Sequence, residues 1–159
     1  MPVWHYSRKD VDPTRTAKGV IRNAPVSIKE AYEIFKIIRG MKLDEAEKLL
    51  ERVIRKEVPI PYTRYKLSIA HKKQLPNLFP KWKTPIGRYP VKTAKYILRL
   101  IRNVRNNAEV KNLDTERLVI IHAAVHKGVC IKRFIPRAMG RSTPKVSTRA
   151  HLEMIVKEV

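Results

Sequence analysis

The chain has 159 residues, with 35 lysines and arginines against 14 aspartates and glutamates, and a formal net charge of +21. This length suits a single domain with its own hydrophobic core, here expected to span residues 1–159. A compact body with this charge repels itself unless a polyanion neutralises it, so nucleic acid is the favoured partner and an anionic membrane surface the second.

The N-terminal residues and the apolar runs of the sequence do not suggest export or membrane insertion. The N-terminal residues lack the apolar core of a signal peptide, and no apolar run approaches the length of a membrane span. We therefore expect a soluble protein of the cytoplasm. The single cysteine, Cys130, excludes an internal disulfide framework and a multi-cysteine metal site.

Two amphipathic helices are predicted between residues 28 and 57. Ser27 followed by Glu30 has the spacing of a capping box, and Gly40 is a plausible stop for the first helix. The second helix is predicted to begin near Asp44 and to end before Pro59. Acidic and basic residues nearly cancel in this segment, so we expect both helices to have a structural role only.

The next segment, residues 58–90, is basic and rich in proline and aromatic residues, and it contains no acid. The prolines rule out a long regular element. Two interpretations of the aromatics remain open: they stack on unpaired bases while the cations contact phosphates, or they anchor a long loop to the body. The candidate nucleic-acid contacts in this insert are Lys72, Lys73 and Arg88.

A third helix is predicted over residues 91–108, with Pro90 near its first turn. Its predicted inward face consists of Val91, Ala94, Ile97, Leu98, Ile101 and Val104, and its outer face carries Lys92, Lys95, Arg99 and Arg102. No acid compensates the outer face, which favours contact with RNA or DNA.

The rest of the chain has the pattern of strands. Residues 118–126 and 129–135 are predicted as two strands with a turn at Gly128, and residues 146–156 as a third. The stretch KRFIPRAMGRSTPKVSTRAH, residues 132–151, then forms the far half of a long hairpin whose tip region is marked by Gly140 and Pro144. Because its arms reach about 30 Å and lack a core-facing side, we expect the hairpin to protrude and to become ordered on a polyanion.

The sequence offers little for catalysis or metal binding. His122 and His126 share one strand face, but no third ligand is evident nearby, so we expect packed or RNA-facing histidines. Cys130 is expected to be a small buried residue rather than a nucleophile. Acids lie mainly in the first two helices and the glycines are scattered, so we predict no enzyme, no cofactor and no metal site.

Three motifs in this order resemble one known family. They are PVSIKEAYEIFKIIRGMKLDEAEKLL, GRYPVKTAKYILRLIRNVRNNAEV and HAAVHKGVCIKRFIPRAMGRSTPKVSTRAHLEMIV. Together they resemble the large-subunit ribosomal protein family L twenty-two, named L seventeen in eukaryotes. The basic insert resembles the archaeal and eukaryotic branch, although residues 66–83 depart most from the family pattern.

The resemblance implies an α+β fold: a small three-stranded antiparallel sheet packed with three helices, plus a long basic hairpin at about residues 129–156. It implies a structural role in the large ribosomal subunit, with the globular part near the polypeptide exit and the hairpin lining the exit tunnel. The implied partners are large-subunit rRNA, neighbouring ribosomal proteins and the nascent polypeptide. The alternative is a free-standing nucleic-acid-binding protein of chromatin or regulatory type, for which no helix-turn-helix or zinc-finger spacing is present.

Site residues follow from the resemblance and from the basic blocks. The predicted rRNA contacts are Lys72, Lys73, Arg88, Lys92, His126, Lys127, Lys132, Arg133, Arg137, Arg141, Lys145 and Arg149. The predicted tunnel-facing tip consists of Ala138, Met139, Gly140, Arg141, Ser142 and Thr143.

Overall fold

The computed structural model describes residues 4–159 and has the predicted α+β class. Three long helices pack on a three-stranded antiparallel sheet, and a second sheet of two very short strands lies in the insert. In chain order the elements are β1 (Thr16–Ala24), α1 (Ile28–Ile38), α2 (Leu43–Ile54), β2 (Ile60–Pro61), α3 (Leu75–Leu78), β3 (Gly87–Arg88), α4 (Val91–Val110), a 3-10 turn (Thr115–Arg117), β4 (Leu118–Pro136) and β5 (Ser142–Glu158).

The central strand of the main sheet is β5, which pairs with β1 on one side and β4 on the other. Successive side chains of a strand point to opposite faces. Leu152, Met154 and Val156 belong to the hydrophobic core beneath the helices. Glu153, which lies between them, contacts the N-terminal segment on the opposite face through Trp4. The sheet is therefore covered on both sides.

The longest helix, α4, packs closely against β1. A Cβ added to Gly19 would lie 2.5 Å from the Cγ2 atom of Val104, so the missing side chain lets the helix approach the strand. The predicted inward face is largely confirmed: Ala94, Ile97, Ile101 and Val104 are buried, although Val91 and Leu98 are only partly buried. Leu100, which the prediction omitted, is fully buried.

The first two helices are confirmed, but the predicted capping box is not formed. Ser27 is the N-cap residue of α1, yet its side chain makes no capping hydrogen bond. Glu30 instead accepts a hydrogen bond of 2.5 Å from the Thr93 hydroxyl and so joins α1 to α4. Gly40, with φ of 83°, follows the end of α1 as predicted.

The predicted turn at Gly128 is wrong. Residues 118–136 form one continuous strand, and Gly128 lies in a β-bulge between the pairs Lys127–Ala150 and Cys130–Thr148. A Cβ added there would lie 2.8 Å from Asn23 Oδ1 and 3.1 Å from the Arg149 carbonyl oxygen. Glycine is required because other backbone and side-chain atoms approach it closely.

The chain reverses at the tip instead. The Arg141 N–H donates to the Ala138 carbonyl at 3.3 Å, and the two residues between them, Met139 and Gly140, have φ values of 57° and 67°. Positive φ at both central positions is the pattern of a type I′ turn, which suits the right-handed twist of a hairpin.

The bulge gives a stability prediction. The variant Gly128→Ala should lower the free energy of unfolding by about 2 kcal/mol, because the added methyl group must displace Asn23 or the β5 backbone. Thermal or denaturant unfolding of the full chain measures this loss. Ser147→Ala, on the exposed part of β5, is the matched control and should leave stability unchanged. Equal stability of the two variants would contradict the close approach.

Candidate nucleic-acid interface

The outer half of the β4–β5 hairpin has no hydrophobic core. The strand β1 ends where Ala24 pairs with Ala150, so the hairpin continues beyond that point as a two-stranded ribbon. No residue from 124 to 149 is buried. A two-stranded ribbon without a covered face is marginal in water, so this ribbon needs a surface outside the protein to hold it.

The charges of the ribbon point to the nature of that surface. Arg133 pairs directly with Lys145 across the strands, and both side chains are exposed. Like charges placed opposite each other destabilise a sheet. Between Arg117 and Leu152 the sequence has no acid to compensate them. The ribbon is therefore suited to a polyanion on each of its sides.

Most predicted contacts on the hairpin are exposed, as such a role requires. The exposed cations are Lys127, Lys132, Arg133, Arg137, Arg141 and Lys145, whereas Arg149 is partly buried. All six predicted tip residues, Ala138, Met139, Gly140, Arg141, Ser142 and Thr143, are exposed. The Met139 side chain is 93% exposed, so the turn presents an apolar group at its end.

The insert is anchored to the body by a buried carboxylate. Glu33 of α1 is fully buried and accepts hydrogen bonds from the backbone N–H groups of Thr63, Arg64 and Tyr65, at 3.1, 2.8 and 3.0 Å. Three such donors satisfy a carboxylate that burial would otherwise destabilise. This anchor was not predicted, since α1 and the insert are about 30 residues apart along the chain.

The aromatic residues of the insert mostly help this anchoring. Tyr62 is buried, and Tyr65, Phe79 and Trp82 pack against the core. Lys36 of α1 lies 4.6 Å from the centre of the Trp82 ring, a cation–π contact. Of the two interpretations left open by the sequence, the structure favours the anchoring one for these four side chains.

The predicted cations of the insert and of α4 are distributed over the surface. Lys73, Arg88 and Lys92 are exposed, whereas Lys72 is partly buried, with its ammonium group 5.5 Å from the Tyr89 ring centre. Lys92 and Arg149 line the same cavity, which measures about 570 Å³ and lies beside the N-terminus of α1. This cavity joins the base of the hairpin to the globular body.

His126 is not a free surface residue. Its Nε2 atom lies 3.2 Å from Oε1 of Glu153, and His122 Nε2 lies 3.0 Å from the same oxygen. The Trp4 indole N–H donates to the other carboxylate oxygen at 3.0 Å, and the Ser7 hydroxyl also donates to Glu153. Burial raises the pKa of Glu153, but the hydrogen bonds from these partners outweigh it and lower the pKa to about 2.

Sequence reasoning missed Glu153. The available signal was a single acid between apolar residues on a strand, directly after a long stretch without acids. Its partners on the N-terminal segment lie almost 150 residues away along the chain. Within residues 4–159, no group of three or more His, Cys, Asp and Glu side chains is arranged to hold a metal ion.

Cys130 also differs from expectation. It follows the bulge on the two-stranded part of β4 and is partly exposed, not buried. The prediction was wrong because it assumed that an apolar strand position faces a core, and this part of the strand has none.

The Glu153 cluster gives a pH prediction. Its folded pKa is depressed, so its contribution to stability is present above the ordinary carboxyl pKa of 4.5 and is lost as the pH falls towards about 2. Glu153→Gln should therefore cost about 2 kcal/mol at pH 6 and about 1 kcal/mol at pH 3, which lies between the two pKa values. Chemical unfolding at both pH values measures the difference. The control Glu109→Gln, at an exposed site on α4, should change little; a loss at Glu153 that is independent of pH would argue against the depressed pKa.

Comparison with known proteins places these features in one family. The family model described as ribosomal protein L22p/L17e matches residues 19–157. The protein named large ribosomal subunit protein uL22 from Staphylothermus marinus is 55% identical over 159 residues, covering 100% of this chain and 99% of its own length. Its namesakes from Ignicoccus hospitalis and Methanopyrus kandleri are 53% and 46% identical, and the alignments cover 100% and 98% of this chain and 99% and 96% of the relatives.

These relatives are archaeal, in agreement with the branch predicted from the insert. Among the described residues, no helix is both long enough and apolar enough to span a membrane.

Proposed function

Because the chain belongs to the ribosomal protein L22p/L17e family, we propose that it is a structural component of the large ribosomal subunit that binds rRNA. Family membership makes it a ribosomal protein rather than an enzyme. Its place is the cytoplasmic ribosome, with rRNA and neighbouring ribosomal proteins as partners. A free-standing nucleic-acid binder is not favoured by relatives that match over their whole length and carry a ribosomal name.

The observation that carries this proposal is the basic ribbon without a core. RNA can surround both of its faces, neutralise opposed cations such as Arg133 and Lys145, and replace the missing hydrophobic support. The residues proposed to contact rRNA are Lys72, Lys73, Arg88, Lys92, His126, Lys127, Lys132, Arg133, Arg137, Arg141, Lys145 and Arg149. For His126, the bond to Glu153 leaves only the exposed part of the ring for this role.

We propose further that the chain works as one domain, with the body near the polypeptide exit and the hairpin, residues 129–156, lining the tunnel. The tip residues 138–143 then lie nearest the nascent chain. Their support is the exposed type I′ turn, where Met139 and Gly140 offer a small, mostly uncharged surface between flanking arginines.

The rRNA contacts predict a salt dependence. The double variant Arg133→Gln with Lys145→Gln should weaken binding to large-subunit rRNA and reduce the slope of log K against log salt by about 1.5, since each lost phosphate contact removes roughly 0.7 to 0.9. Filter binding or fluorescence titration at several salt concentrations measures both quantities.

The control removes the same charge from α2. Lys48→Gln with Arg52→Gln lies on the exposed face of α2, where acids balance the cations. It should leave the slope nearly unchanged. If both double variants reduce the slope equally, the cations act only through net charge and the hairpin is not the rRNA contact.

A further inference from the structure

The register of the ribbon separates its side chains into two faces. Residues paired across antiparallel strands point to the same face, and successive pairs alternate between the two faces. Between the bulge and the tip, the even-numbered residues of 130–136 and 142–148 therefore share one face. The odd-numbered residues of 131–137 and 143–149 share the other face. We call these the apolar face and the basic face, after the residues that each of them carries.

The basic face carries most of the charge. Between the bulge and the tip, the apolar face has a single cation, Lys132. Two contacts on the basic face agree with this division. Arg133, Lys145 and Arg149 line one cavity of about 270 Å³, and the Arg137 guanidinium donates to the Thr143 hydroxyl at 3.3 Å. Phosphates that approach the ribbon are therefore attracted mainly to the basic face.

The apolar face presents a contiguous hydrophobic stripe to the outside. Phe134 pairs with Pro144, and Val146 is its diagonal neighbour on the same face. Phe134 is 72% exposed and Val146 is 58% exposed. Every other aromatic residue within residues 4–159 is buried or partly buried, so Phe134 is an exception in this protein. Exposed apolar groups that adjoin one another in this way are typical of an interaction surface.

The Phe134 ring is open to a stacking partner. None of the cation–π contacts formed within residues 4–159 involves this ring, whereas Lys36 already lies over the Trp82 ring. Lys132 lies two residues from Phe134 on the same face, which is about 7 Å along a strand. An aromatic ring with a cation close beside it suits a nucleic-acid base and the phosphate next to that base.

The two faces together indicate what kind of molecule covers the stripe. The strands of a ribbon lie only about 5 Å apart, so a partner on the apolar face also meets long side chains that extend from the basic face. An apolar protein surface would leave those cations without countercharge. Unpaired RNA supplies both groups, because its bases have apolar faces and its phosphates are anionic. Charge complementarity therefore favours RNA over a protein as the partner of this stripe.

We propose that the ribbon binds unpaired RNA through both faces, with phosphates on the basic face and one base stacked on Phe134 of the apolar face. Lys132 holds the phosphate beside that base. A duplex keeps its bases stacked inside and offers mainly its phosphates, so it gains nothing from Phe134. This inference rests on the proposed rRNA binding and divides that binding between the two faces of the ribbon.

The test compares Phe134→Ala with Val110→Ala in the full chain. Val110 is 83% exposed at the end of α4, so both variants shorten an exposed apolar side chain. The probes are a single-stranded RNA of mixed sequence and an RNA duplex with the same number of phosphates. Phe134→Ala should weaken binding of the single strand about fivefold to a hundredfold, the effect of removing one aromatic stacking platform. It should leave duplex binding and the salt slope unchanged, and Val110→Ala should change neither.

Two further substitutions separate stacking from apolar packing. Phe134→Trp keeps an aromatic ring and should retain most of the affinity for the single strand. Phe134→Leu keeps an apolar side chain without a ring and should lose most of the affinity that Phe134→Ala loses. If Phe134→Leu binds the single strand as tightly as the unaltered chain does, a stacked base is ruled out. Thermal unfolding should be the same for all these variants, because the side chain is exposed.

The remaining outcomes distinguish this inference from the proposed function. If Phe134→Ala binds both probes as the unaltered chain does, while Arg133→Gln with Lys145→Gln weakens both, the division between faces is wrong and RNA binding stands. A photoreactive side chain at position 134 in purified large subunits should cross-link to rRNA. Cross-linking to protein alone would assign the stripe to a protein partner and overturn the inference. If the unaltered chain binds neither RNA, the proposed function fails and this inference fails with it.

Discussion

The pairing of β4 with β5 is the constraint on which the rest of the structure depends. Over residues 150–156, β5 is the buried centre of the sheet and carries the core beneath the helices. Over residues 142–148 the same strand is exposed and pairs only with β4. One pair of strands thus belongs to two environments: one end is packed inside the protein, and the other end is exposed.

The placement of the charges favours a polyanion as the partner of the ribbon. Acids are concentrated on α1 and α2. Some form ion pairs, such as Glu47 with Arg105 at 2.7 Å. Glu33 is instead buried and accepts hydrogen bonds from the backbone of the insert. The outer ribbon, residues 124–149, has cations and no acid. In the proposed function, RNA supplies the countercharge and the surface that the ribbon lacks.

Local signals in the sequence predicted most of the elements. Helical periodicity identified α1 and α2 and most of the buried face of α4, and Gly40 marked the end of α1. The predicted turn at Gly128 was wrong because glycine is favoured both in turns and in β-bulges. What decides between them is the close approach of Asn23, a residue more than 100 positions away along the chain.

The exposure of the hairpin cations follows from the sequence, but the buried polar contacts that support the fold do not. A stretch without acids is visible in the sequence, so the exposed residues of the hairpin were found. The Glu33 anchor and the Glu153 cluster depend on contacts between distant segments, which no local pattern contains. Buried polar groups of this kind are satisfied by tertiary structure.

The central claim is that this chain is embedded in the large subunit through its basic hairpin. Sedimentation of cell lysate through sucrose gradients at low and at high salt, with detection of this chain, tests it most directly. The account predicts migration with the large subunit that persists at high salt, because RNA interleaved with the ribbon resists exchange with counterions better than a surface contact does. Release at modest salt, or migration at the top of the gradient, would contradict it.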